Sequence, residues 1–353
     1  MLVIDGSQGE GGGQVLRTSL SLSALTGRPF RIDKIRANRS RPGLRPQHLT
    51  AVRAAAAICQ AEVTGDDLDS IRLAFSPRTA PAGGEYRFDV AEASPSGQSA
   101  GAVTLVMQAI LWPLLFASGP ATITIQGGTF VPFSPPYHYL SEVARPAFVA
   151  LGADFELELV RWGWMATGGG RMIARVKPVL ALHASQLKTP DDTGVRGLAA
   201  VTNLPSHIPH RMARRAHNLL AEAGMAPAID ALRERSDGPG AGIMLWRQQA
   251  GFSSLGRKGL PAENVAQAAV AELVSFMDNG AAVDRYLADQ LLVPMALAHG
   301  QSSFTTDFVS RHLLTNAQLL RHWLGVSISV QGPLGESGRV TVNGAGHRPS
   351  HEV

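Results

Sequence analysis

The sequence predicts an α/β (α+β) protein built from repeated βαβαββ-type units, interrupted by a smaller inserted α/β domain. Three observations carry that reading. Apolar runs of strand length alternate with longer segments of helical period. Glycine turns recur at comparable points along successive stretches. The texture changes near Leu182, and the earlier cadence returns near residue 279. A chain of 353 residues has room for one large domain with an insertion. Apolar content of 45% against 17% charged residues excludes disordered and fibrous classes.

Leu2 to Ile4 reads as a strand, ended by the Asp5-Gly6 turn. The loop Gly9-Glu10-Gly11-Gly12-Gly13-Gln14 leads into a helical pattern over Val15 to Leu25, which Gly27-Arg28-Pro29 stops. Phe30 to Ile35 alternates like a strand, Arg36 to Pro46 is a basic loop, and Gln47 to Ala61 is an alanine-rich amphipathic helix. Ile71 to Phe75 and Tyr86 to Phe88 read as strands. A similar unit follows: a buried helix over Ser99 to Leu115, a strand over Ala121 to Gln126 and a turn at Gly127-Gly128-Thr129. A helix over Tyr137 to Leu151 precedes strands Asp154 to Val160 and Arg171 to Val176.

The expected insertion holds a strand over Val195 to Val201, a helix over Pro205 to Ala223, strands Ala241 to Trp246 and Phe252 to Leu255, and a helix over Pro261 to Met277. The cadence then resumes with a helix over Val283 to Ala298, a strand near Phe304, a helix from His312, and strands Val326 to Val330 and Arg339 to Val342. These elements predict a large domain over 1–181 and 279–343, an insertion over 182–278, and a frayed tail over 344–353.

The net charge is +4, and arginine dominates the excess: the lysines are Lys34, Lys177, Lys188 and Lys258 alone. Arginine suits bidentate phosphate recognition, although a G+C-rich genome inflates it too. A single cysteine, Cys59, rules out a disulfide framework within the chain and suits a reducing compartment. The N-terminus shows no basic leader with a cleavage site. The longest apolar stretch, Val103 to Ala117, contains Gln108 and Pro113 and is short for a membrane span. The expectation is a cytoplasmic chain with no membrane partner; its oligomeric state is left open.

Several residues have chemistry that packing alone does not require. Glycines in the Gly9 to Gln14 loop let backbone approach a ligand, and the helix that follows favours anions at its start. The loop is neither a Walker A motif nor a dinucleotide fingerprint. Glu10 among glycines suits a carboxylate holding a divalent metal, while a plain tight turn fits the same residue types. Arg36, Arg39, Arg41 and Arg45, with Arg17 in the first helix and Gln47-His48 at the start of the second, could form a basic pocket for phosphate oxygens. Gln108 is an amide inside an apolar helix and must find a partner. Tyr286, Asp289 and Gln290 offer an aromatic face and polar groups one helical turn apart, suited to a nucleobase. His312 stands near a helix start, where an imidazole could face a cleft.

The Gly9 to Gln14 loop, Arg36 to Gly43 with Gln47-His48, Thr104 to Gln108, Tyr286-Leu287-Ala288-Asp289-Gln290 and His312-Leu313-Leu314-Thr315-Asn316 together closely resemble the RNA 3′-terminal phosphate cyclase family. The resemblance spans essentially the whole chain. It implies repeated units like those of the translation initiation factor 3 C-terminal domain, plus the insertion. The implied activity is ATP-dependent conversion of an RNA 3′-phosphate to a 2′,3′-cyclic phosphate through histidine–AMP and RNA–adenylate intermediates. His312 would be the nucleophile. Gln108, Pro132, Phe252, Tyr286, Leu287, Ala288, Asp289 and Gln290 would contact ATP. Arg17, Arg36, Arg39, Gln47 and His48 would contact RNA phosphates, and Glu10 a magnesium or manganese ion. The implied partners are ATP and RNA 3′-phosphate ends.

Two positions depart from the family pattern: Ala166 stands where proline is expected, and Trp162 where histidine or arginine often stands. A non-catalytic cyclase-like RNA-binding protein of ribosome assembly is the alternative. Such relatives lack the nucleophile and the full adenylate motif, both of which are present here. Enolpyruvyl transfer on a loosely similar architecture is a further possibility, but it accounts for neither motif.

Overall fold

The computed structural model describes residues 1–189 and 194–349. The first unit runs β1 (Leu2–Asp5), α1 (Gly13–Thr26), β2 (Phe30–Asp33), α2 (Pro46–Cys59), β3 (Glu62–Thr64) and β4 (Leu73–Ser76). Its sheet has the order β1-β2-β4-β3, with β1 parallel to β2 and the other neighbours antiparallel. A parallel β1–β2 pair requires a crossover, and α1 supplies it.

The second unit repeats the plan with β5 (Gly84–Asp89), α3 (Val103–Leu115), β6 (Ala121–Gly127), a helical stretch, β7 (Asp154–Arg161) and β8 (Gly170–Lys177). That stretch comprises α4 (Tyr137–Tyr139), a π turn over Leu140–Ala144, and α5 (Arg145–Ala150). The sheet order β5-β6-β8-β7 and its strand directions match the first unit.

The insertion folds as β9 (Gly194–Thr202), α6 (His207–Glu222), β10 (Ala226–Glu234), β11 (Gly240–Arg247), β12 (Ala250–Leu255) and α7 (Ala262–Asn279), with sheet order β10-β9-β11-β12. Strand alternation gives this sheet two apolar faces. Val195, Ala199, Val201, Ile243 and Leu245 join a separate core with Met212, Leu220, Leu273 and Phe276 of the two helices. Leu198, Ala200 and Met244 face the other way and join the main core.

The third unit contains α8 (Arg285–Gln290), α9 (Leu292–Leu297), β13 (His299–Thr306), α10 (Arg311–Leu324), β14 (Ser327–Gln331) and β15 (Gly338–Ala345). Its sheet order is β13-β15-β14. The missing first strand is found ahead of the insertion, where His183 and Gln186 bridge in parallel to His299 and Ser303. Ala184 N–H donates to the His299 carbonyl and Leu187 N–H to that of Ser303. Residues 182–187 therefore belong to the third sheet and not to the insertion in which the sequence reading put them. Only isolated bridges form there, so the segment lacks a clear strand pattern.

Other differences have local causes. The helix expected over Val283 to Ala298 divides at Leu291, because Pro294 has no N–H for the Gln290 carbonyl. Strand β10 was not foreseen: it is a sheet edge with most of its residues exposed. The tail begins later than expected, since Gly344 and Ala345 pair with Gly300 and His299. His347 continues inward, donating its N–H to the Leu297 carbonyl and packing edge-on against Phe116.

Helix α1 is buried at every position from Gln14 to Leu25 except Arg17, as a central helix should be. It packs against α3 and α10, so its first turn lies where the three repeated units converge. Among the described residues no helix is long and apolar enough to cross a membrane.

Candidate active site

The site gathers around the start of α1. Gly9 and Gly11 have positive φ, near 59°, a region open to glycine at no steric cost. A Cβ on Gly13 would lie 2.4 Å from His48 Nε2 and 2.9 Å from Arg17 Nη1, so only glycine lets those side chains press onto the loop. The N-cap of α1, Gly12, offers no side chain to its first turn, and that turn has no acidic residue. Its N–H groups are thus left for an external acceptor.

His312 is the second residue of α10, whose N-cap Ser310 accepts the Leu313 N–H at 3.1 Å. Its Nδ1 lies 2.9 Å from Gln14 Oε1. The other end of the Gln14 amide, Nε2, donates to the Asp289 carboxylate. That donation turns Oε1 toward His312, which must then donate from Nδ1, leaving Nε2 with a free lone pair. Burial lowers the His312 pKa, with Arg17 and Arg39 reinforcing and Asp289 opposing. The imidazole is therefore neutral at neutral pH. Burial raises Asp289 to about 6, with His312 and Arg17 holding it down.

Glu10 sits beside the same ring. Its Oε1 pairs with Arg39, and its Oε2 lies 2.6 Å from His312 Nδ1. The Nδ1 hydrogen points to Gln14, and Glu10 Oε2 is buried without a hydrogen-bond donor. Among the described residues no cluster of three or more His, Cys, Asp or Glu side chains could hold a metal. An orphaned carboxylate oxygen does fit a divalent ion that takes its other ligands from phosphates and water.

Asn316 donates to the Asp289 carbonyl at 3.0 Å and accepts from Thr18 at 3.0 Å. Gln108 accepts from Arg17 Nε at 3.3 Å and donates to Gln290 Oε1 at 3.2 Å. These side chains line a cavity of about 40 Å³ between α1, α3, α8, α9 and α10. It holds water-sized groups, not a base. Tyr286, which precedes Asp289 on α8, is half exposed, with the buried Phe252 edge-on at 6.3 Å.

The basic side is built around His48. Burial, then Arg17, Arg36, Arg45 and Arg39, push its pKa well below the usual value. Its Nδ1 accepts the Arg45 N–H at 3.3 Å, so Nε2 carries the proton. Arg17 is drawn down to about 10, by burial first, with Asp289 opposing and Arg36 reinforcing; it remains a cation at neutral pH.

Residues 8–330 match the family model described as RNA 3′-terminal phosphate cyclase. The chain belongs to that family. It is 50% identical over 325 residues to the RNA 3′-terminal phosphate cyclase of Gloeothece citriformis, covering 91% of this chain and 93% of that one. A relative of the same name from Methanopyrus kandleri is 40% identical over 358 residues, covering 98% and 99%. A solved enolpyruvyl transferase from Streptomyces tendae aligns at 12% identity and a TM-score of 0.39, and the chain spans 50% of its length. At that distance it bears on neither fold nor activity.

Of the residues expected to serve an RNA 3′-terminal phosphate cyclase, Glu10, Arg17, Arg39, His48, Gln108, Asp289, Gln290 and His312 form one connected group. Others are placed differently. Leu287 and Ala288 are fully buried, leaving only their backbone for a ligand. Arg36 spends Nη1 on the carbonyls of Arg41 and Gly43. Gln47 Oε1 accepts the Ala102 N–H at the start of α3. Pro132 is exposed on the loop after β6, and Trp162 is stacked between His138 and Trp164.

Gln14 and Asn316 stood inside motifs singled out from the sequence, yet had no assigned part. Asp284 and Tyr139 were missed altogether. The Asp284 carboxylate caps the N–H groups of Tyr286 and Leu287, accepts that of Gly251 at 2.7 Å, and takes the Tyr139 hydroxyl at 2.8 Å. An aspartate directly ahead of a helical run is the N-cap signal that could have found it.

Proposed function

We propose that this chain is an ATP-dependent RNA 3′-terminal phosphate cyclase and that His312 carries AMP. The observation behind the reading is the relay from Asp289 through Gln14 to His312 Nδ1, which leaves Nε2 as the nucleophile. Attack of Nε2 on the α-phosphorus of ATP forms an N–P bond and breaks the bond to the leaving pyrophosphate. The ring then becomes cationic, and Glu10 Oε2, 2.6 Å from Nδ1, offsets that charge.

A 3′-phosphate oxygen of RNA next attacks the adenylate phosphorus, breaking the N–P bond and restoring neutral His312. The adjacent 2′-hydroxyl attacks the 3′-phosphorus, loses its proton and expels AMP, ring closure being favoured by proximity. Arg17, Arg39 and His48, with the rest of the arginine loop, are the candidate contacts for the RNA phosphates, which position without reading sequence. A magnesium or manganese ion held by Glu10 and the ATP phosphates would supply further charge neutralisation. Pro132, Tyr286 and Gln290 are the candidate contacts for the adenine side. A reducing cytoplasm suits a chain whose one cysteine, Cys59, is free and buried.

The test is transfer of label from α-labelled ATP to the protein. The wild type takes the label, whereas His312→Ala and His312→Asn fold and take none. Labelling that survives both substitutions would remove His312 from the chemistry. No labelling of the wild type, with RNA binding indifferent to ATP, would favour the non-catalytic RNA-binding alternative.

A further inference from the structure

Phe133 is fully exposed and holds a left-handed backbone, φ 61°. A bulky side chain in that region is a strained exception. Neither exposure nor strain serves the core, and the surrounding loop enforces both. Val131-Pro132-Phe133-Ser134-Pro135-Pro136 contains three prolines that restrict the chain. Thr104 donates to the Pro135 carbonyl at 2.7 Å, Ser134 to that of Val131 at 3.2 Å, and Tyr137 N–H to that of Thr129 at 2.8 Å.

The anchors locate the loop within the site. Thr104 lies one helical turn before Gln108 on α3. Val131 packs against Ala102, whose N–H is bonded to Gln47 at the end of the arginine loop. Past the loop, Tyr139 stands edge-on to Tyr286 at 6.4 Å. The loop therefore bridges the basic side and the aromatic side of the site. A terminal RNA nucleotide must lie between those sides to receive AMP.

We infer that Phe133 is a stacking platform for an unpaired nucleobase at the RNA 3′ end. This rests on the cyclase reading above. A ring presented to solvent from a constrained backbone stacks a base without first having to leave a packed site, and it tolerates any sequence because every base presents a π face. Pro132, its neighbour, is left to the adenylate side, so the loop divides two bases between adjacent residues.

The experiment compares wild type, Phe133→Ala and Phe133→Tyr on 3′-phosphate oligonucleotides, intact or made abasic at the terminal or penultimate nucleotide. Phe133→Ala raises KM for the intact RNA roughly tenfold or more, and Phe133→Tyr restores it. Label transfer from ATP to His312 proceeds in Phe133→Ala at the wild-type rate. One abasic substrate suffers the same loss with the wild type and no further loss with Phe133→Ala. An unchanged KM, additive losses, or failure of His312 labelling in Phe133→Ala would each overturn the proposal. Equilibrium binding of the same oligonucleotides reads the stack even if the wild type transfers no AMP, which separates its failure from that of the cyclase reading.

Discussion

An imidazole attacks phosphorus well only when one nitrogen keeps its proton and the other offers a lone pair. Here that division rests on Gln14, whose amide is oriented by Asp289. Replacing Gln14 by Ala should slow His312 labelling by up to about 10⁴-fold, as when a catalytic histidine loses its orienting partner. It should also cost about 1–3 kcal/mol of stability, because the buried Asp289 carboxylate loses its donor. The pH profile follows from the same groups. Lowering pH protonates Asp289, whose value is about 6, and His312, which burial holds below its usual range. Labelling should therefore fall as pH drops below about 6 and be level at neutral pH. A rate that rises on acidification would contradict the assignment. His312, Glu10, Gln108 and Asp289 could be singled out as candidates because each stands in a short run of distinctive chemistry. The Gln14–His312 contact was not: its partners are 298 residues apart, and no local pattern encodes it.

At the scale of elements, the glycine loop and the two motif helices set the geometry. A Cβ on Gly9 would lie 2.0 Å from Thr315 Oγ1, on a backbone with φ 59°. Gly9→Ala should cost about 1–3 kcal/mol of stability, read by denaturant unfolding. It should also weaken labelling, because the Glu10 N–H to Thr315 bond of 3.2 Å spans the same contact. Full labelling by a destabilised Gly9→Ala would show that the loop contact serves folding alone. The long helices were legible from period and stop signals, as with α1 between Gly12 and Gly27. Less was legible where one proline or one edge decides the outcome. Pro294 divides α8 from α9, while β10 exposes most of its side chains and ends in Leu, Arg and Glu in place of a strand-like run.

Across the whole molecule, three sheets share one order and one set of strand directions, and the site lies where their helices meet. The insertion splits the third unit between its first strand and first helix, so the chain re-enters just ahead of the Tyr286 to Gln290 run. Asp284 closes that junction, joining Tyr139 of the second unit, Gly251 of the insertion and Tyr286 of the third. Removing its carboxylate in Asp284→Ala would leave several buried donors unpaired and should cost about 2–4 kcal/mol, measured by chemical unfolding. A neutral outcome would mean that the insertion docks without it. The repeat was legible as a cadence, but the first strand of the third unit was not, because it forms only bridges. The most direct test of the cyclase reading is the mass of a 3′-phosphate RNA oligonucleotide after incubation with the protein, ATP and a divalent ion. The expected product is lighter by one water, with AMP and pyrophosphate released, whereas an RNA of unchanged mass would contradict it.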